Sequence, residues 1–189
     1  MSGIRGRRLG TGGVLLVVAA VGVGGWFGYD WNQTRQDRAR SRAEITEACE
    51  GLVDPGRVMR LGIPSDKVDA GERGDRLCVL RRAGMFEGQE DMYEFFSLGV
   101  AHSTGPVVNA GRYDYDGGRT VAVTAACAKT AEGTGPTSVR ATATSLYENA
   151  DFADPRELAV LAREAALRAA AKRGCATRLP EVPQDLRRG

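Results

Sequence analysis

The chain has 189 residues, 42% of them hydrophobic and 26% charged, with 26 basic against 24 acidic side chains. Three of the basic ones, Arg5, Arg7 and Arg8, precede a long uncharged run, which leaves 23 basic against 24 acidic residues over the rest of the chain. That balance excludes the broad basic footprint of a nucleic-acid binder, and the length beyond the first thirty residues suits one domain with a real core.

The first element in chain order is LGTGGVLLVVAAVGVGGWFGY, Leu9 to Tyr29, twenty-one residues without a charge. At about 1.5 Å per residue such a helix is about 31 Å long, the thickness of a hydrocarbon core. Its glycines weaken helix propensity, but an unpaired amide in lipid costs more, so a transmembrane helix over 9–29 is expected. Trp26, Phe27, Tyr29 and Trp31 gather at one end, where rings with an apolar body and a polar tip sit at the membrane interface. Basic residues crowd the amino-terminal flank more closely than the other, which places 1–8 in the cytoplasm as a basic tail and the remainder outside. A cleaved signal peptide with VVAAVG as its apolar region is the competing reading.

Residues 30–48, DWNQTRQDRARSRAEITEA, are polar with good helix formers and read as a solvated stalk helix. The domain is expected over 49–180, followed by a flexible tail over 181–189. Its four cysteines, Cys49, Cys78, Cys127 and Cys175, are separated by 28, 48 and 47 residues. Lipid attachment would need Cys49 directly after the apolar run. Zinc would need ligands in close pairs, and the only histidine is His102. A nucleophilic cysteine would need a base and an orienting group beside it. Disulfides remain, in the extracytoplasmic context where they persist. Pairing Cys49 with Cys78 and Cys127 with Cys175 is favoured, because each bridge joins a strand to a neighbouring helical segment and closes a short loop.

In DPGRVMRLGIP, Asp54 is a helix cap, Pro55 the first helical residue, Val58, Met59 and Leu61 the apolar contacts, and Gly62 and Pro64 the stop. SDKVDAGERGD, residues 65–75, reads as a polar loop. RLCVLRR is a short strand carrying Cys78, and MYEFFSLGVAHS is assigned to a strand on the spacing of Phe96, Leu98 and Val100. Asp116-Gly117 signals a hairpin whose outgoing strand puts Val121, Val123, Ala125 and Cys127 on one face. TSVRATATSLYE repeats the alternation and should pair antiparallel with it. The last helix is bracketed by Asp154, Pro155 and Glu157 at its start and by Lys172, Arg173 and Gly174 at its end. Leu158, Leu161, Ala162, Ala165 and Ala169 form the face expected on the sheet. Val160, Leu167 and Ala171 form a narrower second stripe, read as a possible contact for a partner or the stalk.

No metal or cofactor is expected. DYDGG lacks the later bidentate carboxylate of a calcium loop and reads as a turn. AEGTGPT lacks the lysine of a phosphate-binding loop. His102 next to Ser103 has no third group to complete a catalytic set.

The sequence ACEGLVDPGRVMRLG, the strand cysteine of RLCVLRR, VAVTAAC and the closing ELAVLAREAALRAAAKRGCATRLP together resemble small membrane-anchored extracytoplasmic proteins of actinobacteria, over about residues 48–180. The resemblance implies an α+β envelope domain with two disulfides and brings no activity or functional residues with it. The expected fold is thus α+β: a transmembrane helix and polar stalk, then a small antiparallel sheet packed by a long carboxy-terminal and a short amino-terminal helix. The expected function is that of a non-enzymatic interaction or accessory protein of the cell envelope, with the membrane and an envelope protein as partners. The alternatives are a binding module for a small envelope ligand and a hydrolase using His102.

Overall fold

The computed structural model describes residues 32–62, 66–86, 89–128, 137–147 and 154–186. The basic tail, the expected membrane helix over 9–29 and the residues Trp26, Phe27, Tyr29 and Trp31 lie outside the described residues. Among the described residues no helix is long and apolar enough to cross a membrane. The described residues fall in two units, 32–38 and 39–186. In the first, residues 32–38 are helical.

The second unit is an α+β domain. Helix α1 covers 39–48, α2 is the single turn Pro55–Val58 and α3 is Pro155–Lys172. Six strands, β1 (Val68–Ala70), β2 (Cys78–Phe86), β3 (Gln89–Ser103), β4 (Tyr113–Tyr115), β5 (Thr120–Ala126) and β6 (Ser138–Ser145), form one sheet. Their order is β1-β2-β3-β6-β5-β4, with every neighbour antiparallel. The chain leaves β3, runs to the far edge as β4, and returns through β5 to β6, which closes against β3.

Alternation decides which face is buried. Ala125, Val123 and Val121 lie opposite Val139, Ala141 and Ala143 across the β5–β6 ladder, and all six are fully buried. On β2 and β3 the same face carries Cys78 opposite Leu98 and Leu80 opposite Phe96. The α3 face named from the sequence, Leu158, Leu161, Ala162, Ala165 and Ala169, is buried, and α3 packs chiefly on β5 and β6. Ala159, Ala166 and Ala170 are buried as well. Small side chains on both surfaces let the helix lie close to the sheet, and burying Leu158 and Leu161 contributes about 1.5–3 kcal/mol each. Asp154 accepts a hydrogen bond from the Arg156 amide at 2.8 Å to cap α3, and Gly174, at φ +67°, ends it. Asp54 caps α2 in the same way through the Arg57 amide at 2.7 Å.

Three expectations are corrected. The polar-stalk reading fails over 39–48: Ser41, Ile45 and Ala48 recur at helical spacing and are buried with Cys49. The Ser41 hydroxyl donates to the Asp66 carbonyl at 2.7 Å and accepts from the Val68 amide at 2.9 Å, which anchors α1 to β1. A stripe of one isoleucine between small residues looks polar by composition, yet it still packs. The loop assigned to 65–75 contains β1, whose Val68 is buried opposite Arg82. One apolar residue among charges hides a strand that needs only its inner face covered. The tail over 181–189 is not free over 181–186, because Val182 and Leu186 pack against the core.

Candidate functional site

The cysteines pair as Cys49–Cys78, with α-carbons 5.0 Å apart, and Cys127–Cys175, at 5.2 Å. The first bridge is wholly inside the core and joins the end of α1 to the start of β2. The turn that follows Cys49 has Glu50 in the left-handed region at φ +53°. Cations from the last turns of α3 secure it: Lys172 Nζ donates to the Glu50 carbonyl at 2.7 Å and Arg168 Nη1 to the Gly51 carbonyl at 3.0 Å. The second bridge ties the end of β5 to the segment after α3, where the Ala128 amide donates to the Ala176 carbonyl at 3.1 Å. Both bridges brace the sheet against its helices.

From Cys175 the chain runs back toward β4. Tyr113 Oη and Arg163 Nε both donate to the Pro180 carbonyl at 2.9 Å, and Arg163 Nη2 donates to the Leu179 carbonyl at 3.2 Å. Burial pushes the Tyr113 hydroxyl above its ordinary pKa, against the opposing pull of Arg163, so it stays a donor. These bonds hold residues 180–186 beside the edge strand and leave a cleft of about 470 Å3 between them. Tyr113, Tyr115, Pro180, Pro183, Glu181 and Asp185 shape it, with Arg112 and Asp114 at its rim. Asp114 is compensated by Arg140 at 2.9 Å and Arg112 at 3.8 Å. Glu181 and Asp185 are exposed and have no hydrogen-bond or ion-pair partner among the described residues.

Among the described residues no further strand covers the β4 edge. Because the Asp116 amide bonds the Thr120 carbonyl, the alternation of an antiparallel ladder turns the N–H and C=O of Tyr113 and Tyr115 away from β5. The hairpin beyond is fixed by Asp116, which accepts from the Gly118 amide at 2.8 Å and the Thr120 amide at 3.0 Å. Burial alone would raise the Asp116 carboxyl, but these N–H groups outweigh it and hold the pKa below its ordinary value. The DYDGG segment thus forms the turn read from the sequence.

At the opposite end of the buried face sits an unusual cation. Arg82 is fully buried, its guanidinium carbon lies 3.7 Å from the centroid of Phe95 and 5.5 Å from that of Tyr147, and among the described residues its side-chain nitrogens have no partner at hydrogen-bond geometry. Tyr93 closes the cluster, its ring centroid 6.0 Å from that of Tyr147. The Tyr93 ring lies so close over Gly84 that a β-carbon there would collide with it. Burial draws the Arg82 pKa down, partly offset by Tyr147 and Tyr93, and pushes Tyr147 up to about 12, against the pull of Arg82. Register brings these residues together: a bulge after Leu80 inserts Phe95 into the face that Arg82 and Tyr93 share.

His102 is exposed near the end of β3 and lines a smaller cleft of about 200 Å3 with Glu50, Lys172 and Arg173. No serine or cysteine is among the residues lining it. Among the described residues no group of three histidine, cysteine, aspartate or glutamate side chains could hold a metal ion. The second stripe on α3 is divided: Leu167 packs against the core, Val160 is half-buried and Ala171 is exposed. Neither the cleft beside β4 nor the Arg82 cluster is read from the sequence. Tyr-Asp-Tyr ahead of a hairpin turn, and two prolines after the last cysteine, are the signals that mark the cleft.

Comparison with known proteins adds no relative: no family model, no curated protein and no solved structure matches the chain.

Proposed function

We propose that the protein is a single-pass, membrane-anchored component of the cell envelope whose extracytoplasmic domain is a non-enzymatic interaction or accessory module. Two disulfides favour an oxidising compartment, and the uncharged run over 9–29 is long enough to anchor the chain there. The interaction role rests on one observation: among the described residues nothing pairs with the outer backbone groups of β4, beside a cleft whose far wall is tied down by three hydrogen bonds. An open strand edge of this kind is a template for pairing with another chain. The alternative, a module for a small envelope ligand, draws on the same cleft, whose volume falls in the range of small-molecule sites and which brings two tyrosines and three carboxylates together.

A photoreactive side chain in place of Arg112, in the full chain in native membranes under non-reducing conditions, tests the role. A defined protein adduct is expected there and not from the same probe at Arg73, an exposed position in the loop after β1. Identical products from both positions, or none, would remove the interaction reading.

A further inference from the structure

We infer that the occupant of the cleft is an extended, basic segment of a partner protein that adds to the sheet as a strand alongside β4. This deepens the interaction role proposed above and rests on it. Three features of the cleft specify the chemistry.

The first is backbone. Tyr113 and Tyr115 turn their N–H and C=O outward, so an added strand meets donors and acceptors in the alternation of an ordinary ladder. Natural sheets guard such edges with lysine, proline or a covering segment. Among the described residues, 180–186 flank the edge without a backbone bond to it and are anchored by side-chain bonds to the Leu179 and Pro180 carbonyls. The edge is walled but unfilled.

The second is charge. The lining holds Asp114, Glu181 and Asp185 against one cation, Arg112, and Asp114 is already engaged by Arg140. With Arg140 counted the excess is one negative charge, and the carboxylates without a partner among the described residues, Glu181 and Asp185, are on the wall beside β4. An acidic or neutral strand would leave them uncompensated. A strand with lysine or arginine at alternate positions would place its cations on one side, at the spacing strand geometry dictates. The third is aromatic surface: Tyr113 and Tyr115 flank the groove and can carry the stem or head of a long basic side chain.

A short alternating Lys-Val peptide and its Glu-Val counterpart, titrated against the full-length protein in detergent, test the inference. The Lys-Val peptide should bind and the Glu-Val peptide should not, and added salt should weaken binding. Glu181→Gln with Asp185→Asn should lower affinity at least about five-fold, on the scale of two exposed ion pairs. A Lys-Val peptide N-methylated at alternate residues along one edge keeps its charge and loses its ladder donors, so it should fail to bind. The inference is overturned if the Lys-Val peptide does not bind up to about 1 mM, if both peptides bind alike, if the double variant binds unchanged, or if the N-methylated peptide binds as well as its parent. It is likewise overturned if an uncharged oligosaccharide occupies the cleft and the peptide does not. Should the peptides fail while the Arg112 probe still gives its specific adduct, the interaction role stands and only this choice of partner falls. Both variant positions are exposed, so unchanged thermal unfolding of the double variant will separate lost recognition from lost folding.

Discussion

Arg82 shows how a single residue can set the terms for its surroundings. Removing an ion from water costs several kcal/mol even after relaxation, while a buried cation–π contact returns about 2 kcal/mol. With no partner at hydrogen-bond geometry for its nitrogens among the described residues, Arg82 is on the unfavourable side of that comparison. Arg82→Met, which keeps the length of the side chain over Phe95, is therefore expected to raise the denaturant midpoint without changing the slope, by about 1–4 kcal/mol. A lower midpoint would mean that the guanidinium does more for the fold than stack. Tyr147 supplies the pH dependence of the same cluster. Its pKa is raised to about 12 from the ordinary 10.0, so the unfolded chain ionises this phenol first. Its stabilising contribution is whole below pH 10.0 and is lost as the pH rises through about 12. Alkaline unfolding followed by circular dichroism should show that loss, and Tyr147→Phe should delete the step.

Among the elements, the Cys49–Cys78 bridge spans 29 residues and the Cys127–Cys175 bridge 48. Loop-closure entropy assigns them about 3.5 and about 4 kcal/mol, together a large part of an ordinary domain's stability. Cys49→Ser should free the Cys78 thiol, cost on the order of 3 kcal/mol and leave the other bridge intact. Thiol counting under denaturing conditions checks the pairing, and a chemical unfolding curve checks the cost. A newly free Cys127 or Cys175 would show the bridges to be interdependent. The pairing was legible in the sequence because each cysteine sits where a strand meets a helical segment. So was α3, whose cap, proline and closing glycine bracket it, and so was the β5–β6 pair, whose apolar residues recur at every second position. What stayed hidden has a physical cause in each case. Ile45 stands alone among small and polar residues, and Val68 alone among charges, so neither gives a periodic signal. The cleft joins β4 to a segment about seventy residues later through a bond from the Tyr113 hydroxyl to the Pro180 carbonyl, and no local pattern encodes a backbone acceptor. Arg82 shares the parity of Cys78 and Leu80 in its strand, but the aromatic partner that makes its burial possible is hidden, because the bulge that brings Phe95 beside it appears only in the register.

For the whole molecule, the distribution of aromatic residues separates two parts that different probes can follow. Both tryptophans, Trp26 and Trp31, belong to the segment at the end of the uncharged run, and the 39–189 unit contains none. Tryptophan emission should therefore ignore the unfolding of the domain and report the surroundings of that segment alone. If the run over 9–29 anchors the chain, these indoles sit at the level of the lipid headgroups, and emission from the full-length protein should shift to the blue when it is reconstituted into vesicles. Denaturant that abolishes the domain's circular dichroism should leave the shifted emission in place as long as the vesicles persist. Protease treatment from outside should release a domain fragment free of tryptophan and leave the blue-shifted fluorescence with the membrane. A mature protein found in the culture medium with its amino terminus beyond VVAAVG would show instead that the segment is cleaved. The cleft beside β4 would then act on soluble partners, since nothing would hold it at the membrane face.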